Sequence, residues 1–191
     1  MRIFYPVSLN LVGRRCLVIG AENDREAIEK STALEEAGAD VRRIYAGNDV
    51  KEEDVASAFF VISTPQDEAL SRRLRTLADR HRTLLCCLDQ PTHGFVAMAA
   101  IAKAGPVRVA ISTAGLAPRV GKVLKNALQR VMDARFERFI GILAARREQT
   151  RLEHPAPEDS NLRRKAAIDA AEGFAADVRF EYPEWLESES R

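Results

Sequence analysis

No stretch of this chain runs to 18 consecutive apolar residues, so the sequence offers no candidate for a membrane-spanning helix. An excess of one charge is missing too: 29 Lys and Arg stand against 28 Asp and Glu, a formal net charge of +1. So even a balance sets up no long-range field to gather nucleic acid, and no nucleic-acid partner is expected. The opening MRIFYPVSLNLVGRR turns polar and basic where a secretory signal needs an apolar core and a small-residue cleavage site. A cytoplasmic location is therefore expected. The three cysteines, Cys16, Cys86 and Cys87, lack zinc-site spacing and lie within the apolar runs RCLVI and LLCCL, which reads as buried free thiol. His81, His93 and His154 are scattered, and no metal cluster is expected.

What is present suits a soluble α/β chain. The 191 residues are 46% hydrophobic, enough for one sizeable core and a smaller module. A short apolar run over 15–19 ends at Gly20, followed by a polar turn and a helical pattern over 24–37 in which Ala27, Ile28, Ser31 and Leu34 share one arc. Gly38 supplies the stop. Further strands are predicted over 41–45, 59–63 and 84–88. Thr64-Pro65 breaks the third before a helix over about 67–80, whose apolar face is Leu70, Leu74, Leu77 and Ala78. Strands without alternation, separated by helices, predict a parallel sheet covered on both faces.

Past Asp89 the pattern changes. Strand-like segments over 95–102 and 107–112 flank Lys103-Ala104-Gly105-Pro106, which suggests a hairpin or a bent connection. Pro118 suits a first helical position, and one helix is predicted from there to about residue 145. Val120, Val123, Leu124, Ala127, Leu128 and Val131 fall on one arc of it, with Arg119, Lys122 and Arg130 on a neighbouring stripe. His154-Pro155-Ala156-Pro157 reads as a rigid linker, after which Asp159 or Ser160 would cap a helix to about residue 178. Tyr182 and Trp185 lie in an acidic end over 181–191 and are candidates to dock on the body.

A helix N-terminus after a parallel strand carries free N–H groups and partial positive charge, so a pyrophosphate can sit there if glycines allow close approach. The fingerprint for that is G-x-G-x-x-G, whereas this chain has Gly20-Ala21-Glu22-Asn23-Asp24-Arg25. Only the first glycine is present, and two carboxylates stand where an anion would bind. Gly20 is either a remnant of a nucleotide cradle or the ordinary turn of any doubly wound domain. Arg42 and Arg43, near the end of the second strand, are either contacts for a phosphate-bearing cofactor or edge charges.

Four phrases taken in order are more specific than any one. Tyr5-Pro6-Val7-Ser8-Leu9-Asn10-Leu11-Val12-Gly13-Arg14-Arg15-Cys16-Leu17-Val18-Ile19-Gly20, then Ser63-Thr64-Pro65-Gln66-Asp67-Glu68-Ala69-Leu70, then Cys86-Cys87-Leu88-Asp89-Gln90-Pro91, then Gly105-Pro106-Val107-Arg108-Val109-Ala110-Ile111-Ser112-Thr113-Ala114-Gly115-Leu116-Ala117-Pro118 occur in that sequence. Together they resemble the precorrin-2 dehydrogenase module, found alone or at the N-terminus of siroheme synthases, over about residues 1 to 130. The closest phrase is the last, similar to G-P-L-x-I-A-I-S-T-G-G-x-S-P. The glycine-rich turn departs from the pattern and is about two residues longer, Cys86 stands for the Asn of N-V-x-D, and the Asp after A-T is displaced.

The resemblance implies a Rossmann-like NAD-binding domain over 1–90, a dimerisation region with a substrate-facing helix over 91–145, and a helical C-terminal region over 146–191. It also implies a homodimer that oxidises precorrin-2 to sirohydrochlorin with NAD. Asp89 matches the family's acidic residue and is the expected catalytic group; by itself it also reads as a turn-capping Asp before Pro91. Gly20, Ala21, Glu22, Asn23, Thr64 and Pro65 take the cofactor-binding positions. Ser112 and Thr113 match a hydroxyl pair, and Arg119 and Lys122 are placed to meet the carboxylates of precorrin-2, or form a solvated basic face. Because the turn departs from the pattern, two alternatives stand beside oxidation: a chelatase that inserts metal into sirohydrochlorin, and a non-catalytic tetrapyrrole-binding partner.

Overall fold

The computed structural model describes residues 4–186. The last part of the acidic end, residues 187–191, lies outside them. Four parallel strands, β1 (Arg15–Ile19), β2 (Asp40–Ile44), β3 (Phe60–Ser63) and β4 (Leu84–Cys87), form one sheet in the order β2-β1-β3-β4. The connections include the helices α1 (Arg25–Glu36), a short α2 (Glu52–Ala56) and α3 (Glu68–His81).

Alternation along each strand explains why the runs looked uniformly apolar. Leu17, Ile19, Val61, Leu85 and Cys87 face one core with Val50, Val55, Leu70, Leu74 and Leu77. Cys16, Val18, Phe60, Ile62, Cys86 and Leu88 face a second core with Ala27 and Leu34. Both faces of the sheet are therefore buried, which is the expected Rossmann-like α/β arrangement. Ala27, Ser31 and Leu34 of the predicted α1 arc are buried, but Ile28 is exposed.

Beyond β4 the structure corrects several boundaries. The segment at Phe95 is not a strand: the N–H groups of Phe95 and Val96 both donate to the Leu85 carbonyl, at 2.7 and 3.0 Å, which leaves no ladder to continue. The two-stranded sheet is instead β5 (Ala100–Ala104) with β6 (Val107–Ile111), and the turn between them narrows to Gly105 and Pro106. The single helix predicted to residue 145 is two, α4 (Pro118–Val131) and α5 (Ala134–Glu153). Asp133 makes the break, its carboxylate accepting from the N–H groups of Arg135 at 2.9 Å and Phe136 at 3.0 Å as an N-cap. The last helix, α6 (Ser160–Ala170), stops short of 178, and Gly173 turns the chain at φ 81°. Tyr182 and Trp185 are exposed.

The chain groups into two compact units, Met1–Ala102 with Arg108–Leu128, and Lys103–Val107 with Gln129–Arg191. Inside the second, Gln129 bonds both the N–H and the carbonyl of Lys103, and Phe174 stacks on Phe139 with ring centroids 5.2 Å apart. None of the helices among the described residues is long and apolar enough to cross a membrane.

Candidate functional site

A sheet ordered β2-β1-β3-β4 reverses its winding between β1 and β3, and ligands of open α/β sheets bind in the crevice beyond the carboxyl ends at such a point. Three hydrogen bonds carry the ladder past the strand ends there. The Gly20 N–H donates to the Ile44 carbonyl at 3.1 Å, that of Thr64 to Ile19 at 3.0 Å and that of Leu88 to Ser63 at 2.9 Å. Gly20, Thr64 and Leu88 thus form one row along the edge, and Asp89 is the next residue out.

At the head of α1, Asp24 folds its carboxylate back over the helix. Oδ1 accepts from the N–H groups of Glu26 at 2.9 Å and Ala27 at 3.3 Å, and Oδ2 accepts from the Thr64 hydroxyl. The same hydroxyl lies 3.2 Å from the Ile19 carbonyl. The Thr64 hydrogen bond chiefly holds the Asp24 carboxyl below its ordinary pKa, with the two N–H groups and the Arg43 charge adding to it against the opposing effect of burial. Arg43 reaches back from β2, its Nη2 donating to the Ala21 carbonyl at 2.9 Å and the Glu22 carbonyl at 3.4 Å while its guanidinium lies 4.9 Å from the Tyr45 ring centre. Arg42 pairs with the buried Asp54 at 2.6 Å. Both arginines are engaged by groups of the chain itself.

A dinucleotide pyrophosphate needs open N–H groups at this helix terminus and space above the first glycine. The Glu26 and Ala27 N–H groups are taken by Asp24. A Cβ placed on Gly20 would fall 2.8 Å from the Ala27 Cβ and 2.9 Å from Asp24 Oδ2, so the space is closed. Ala21, Glu22 and Asn23 are exposed, and Glu22 adds a second carboxylate. The residues at this turn do not fit a pyrophosphate.

Asp89 leaves β4 in the left-handed region at φ 59°, a conformation that Asp tolerates better than most residues. Its exposed carboxylate accepts from Gln66 Nε2 at 3.1 Å. Behind it the Gln90 side chain accepts from the Ser71 hydroxyl, and the Gln90 N–H donates to the Cys87 carbonyl at 3.3 Å, which fixes the turn. Sequence reasoning passed over Gln66. The signal was the displaced Asp of the second phrase, because Asp67 is drawn off to cap α3 through the N–H groups of Ala69 and Leu70 and Gln66 is left facing the edge.

The remaining expected residues lie after β6. Ser112 Oγ accepts from the Ala114 N–H at 3.2 Å, and the chain turns through Ala114 at φ 52° and Gly115 at φ 77° before α4. Gly121 is buried, and a Cβ there would meet the Thr113 methyl at 3.6 Å, which puts Thr113 against the start of α4. Arg119 and Lys122 are exposed on that helix. The structure thus brings Gly20 and Thr64 together at Asp24, and Asp89 to Gln66, whereas Ser112, Thr113, Arg119 and Lys122 belong to the turn and helix after β6. The cysteines are buried and free. Burial first, then the neighbouring Cys87, pushes the Cys86 thiol up to about 12, so it offers no nucleophile near neutrality.

Residues 7–100 match a family model described as "Putative NAD(P)-binding". The siroheme synthase of Neisseria meningitidis is 25% identical over 147 residues, 68% of this chain and 30% of that protein. The siroheme synthase of Hahella chejuensis is 26% identical over 196 aligned positions, 93% of this chain and 41% of that protein. The chain therefore spans well under half the length of these curated relatives. Among solved structures, SirC, a precorrin-2 dehydrogenase, superposes with a TM-score of 0.69 at 20% identity, covering 89% of this chain and 90% of its own, which shows a shared fold.

Proposed function

From the likeness to siroheme synthases and to the fold of SirC, we propose that the chain belongs to the family of precorrin-2 dehydrogenases and siroheme synthase N-terminal domains and is an enzyme of siroheme synthesis that oxidises precorrin-2 to sirohydrochlorin, with Asp89 as its proton acceptor. The observation that carries this reading is the Asp89 carboxylate standing at the carboxyl edge of the sheet with Gln66 on one oxygen. Oxidation removes two hydrogens from the macrocycle, one as hydride and one as a proton. A carboxylate with one oxygen tied to an amide keeps the other free to take that proton and to steady positive charge developing on the ring. Gln66 sets the direction in which that oxygen points.

NAD is the hydride acceptor that the family reading supplies. The α1 turn does not fit its pyrophosphate, and the role given to Asp89 does not depend on that turn. Ser112 and Thr113 supply hydroxyls, and Arg119 and Lys122 cationic groups, for the carboxylates of the substrate. The working form is a cytoplasmic homodimer.

The Asp24 cap favours a second reading, metal insertion into sirohydrochlorin. That reaction also needs a base to receive pyrrole protons, yet needs no dinucleotide. Purified protein incubated with precorrin-2, with and without NAD, separates the two when the absorption spectrum is followed. Sirohydrochlorin formed only with NAD supports oxidation, and ferrous- or cobalt-dependent conversion of supplied sirohydrochlorin supports insertion. Pigment binding without either conversion sinks both and leaves a tetrapyrrole-binding partner.

A further inference from the structure

Parallel α/β sheets seat phosphate by leaving the first helix turn after β1 without an internal acceptor. In this chain that turn has one. Asp24 Oδ1 is shared by the Glu26 and Ala27 N–H groups, Oδ2 takes the Thr64 hydroxyl from the next strand, and Arg43 closes the loop from outside through the Ala21 and Glu22 carbonyls. The Glu26 and Ala27 N–H groups, the Thr64 hydroxyl and the outer nitrogen of Arg43 are thus already engaged by the protein.

From this geometry we propose that Asp24 is the resident anion of the β1–α1 turn and that the chain does not seat a dinucleotide pyrophosphate there. A pyrophosphate entering the turn would have to displace a carboxylate held by three donors and then lie beside Glu22. In place of the missing glycines the sequence carries a side chain that does internally what a bound phosphate does in a glycine-rich turn. Asp24, Thr64 and Arg43 act as a unit: the cap keeps α1 ordered without ligand and repels the ligand that such a turn usually holds. The inference concerns the β1–α1 turn alone: oxidation with NAD then requires a dinucleotide seat elsewhere on the chain, whereas metal insertion requires none.

The test is equilibrium titration of the full chain with NAD, NADH and NADP by calorimetry, with no tetrapyrrole present. Wild type is expected to show no saturation up to about 1 mM, the affinity scale of a few contacts without a phosphate seat. Asp24→Gly removes the carboxylate and leaves a residue that helix N-caps accept, so it is expected to fold and to bind at least tenfold tighter. Asp24→Asn keeps a capping oxygen without charge and should fall between them. Wild-type binding in the micromolar range that Asp24→Asn weakens or leaves unchanged overturns the proposal. Should Asp24→Gly fail to give a native circular dichroism spectrum, the wild-type and Asp24→Asn titrations decide alone.

Discussion

The Asp24 carboxylate accepts the Thr64 hydroxyl across the carboxyl ends of β1 and β3, so two residues forty positions apart close the same turn. This contact sets a pH dependence whose sign follows from the lowered Asp24 pKa. A carboxyl depressed in the folded state stabilises fully above its unfolded value, near about 4, and loses that contribution as pH falls through the folded value. The stability of wild type relative to Asp24→Asn should therefore be greatest at neutral pH and shrink as the pH falls below about 4. Urea denaturation of both proteins at pH 7 and pH 3 measures it, and a gap that widens in acid would show that Asp24 is not held as an anion.

Gly20 underlies the same turn. A methyl group there would press on the Ala27 Cβ at 2.8 Å and the Asp24 oxygen at 2.9 Å as well as on the Thr64 hydroxyl. Ala27 is fully buried and Asp24 is tethered to the helix, so neither yields freely. Gly20→Ala is expected to cost about 1–3 kcal/mol, the usual range for overpacking. A shift of less than about 0.5 kcal/mol in chemical denaturation would mean that the turn is looser than described.

Much of the fold was legible because the strands of a doubly covered sheet announce themselves as short apolar runs. Arg15–Ile19 is read from the sequence to the residue. The break at Asp133 was missed because apolar periodicity runs on through the buried Met132, and a cap within a helical pattern resembles any polar surface residue. Gly47–Asp49 and Glu52–Ala56 are too short to show a period. At the site, the two carboxylates of the turn were visible as a departure. That Asp24 turns inward onto its own helix and onto Thr64, while Glu22 stays out, depends on the pairing of β1 with β3. Gln66 and Asp89 meet for the same reason, because β3 and β4 end side by side.

Ser63 closes β3 fully buried, with its hydroxyl unpartnered among the described residues. A buried polar atom without a partner costs roughly 1–3 kcal/mol, and the family phrase that this segment resembles carries Ala at the position. Ser63→Ala is expected to raise stability by about 1 kcal/mol, seen as a higher urea midpoint at unchanged slope. A lower midpoint would show that the hydroxyl is satisfied in solution.

Asp89→Asn tests the chemistry with the least disturbance to the fold. The side chain is exposed and its described hydrogen bond comes from Gln66, so an amide of the same shape can stay in place, with left-handed backbone that Asn accepts as readily as Asp. The change removes the base alone. Turnover of precorrin-2, or metal insertion if that is the reaction performed, is expected to fall by roughly 10²–10⁴-fold, the typical worth of a positioned acid–base group. Pigment binding and thermal stability should stay near those of wild type. Gln66→Leu provides the companion measurement: a positioning role lowers kcat and leaves KM nearly unchanged, whereas a purely structural one lowers the melting temperature instead. Full turnover by Asp89→Asn would remove Asp89 from the mechanism and move the search for a base to the hydroxyl and cationic groups that follow β6.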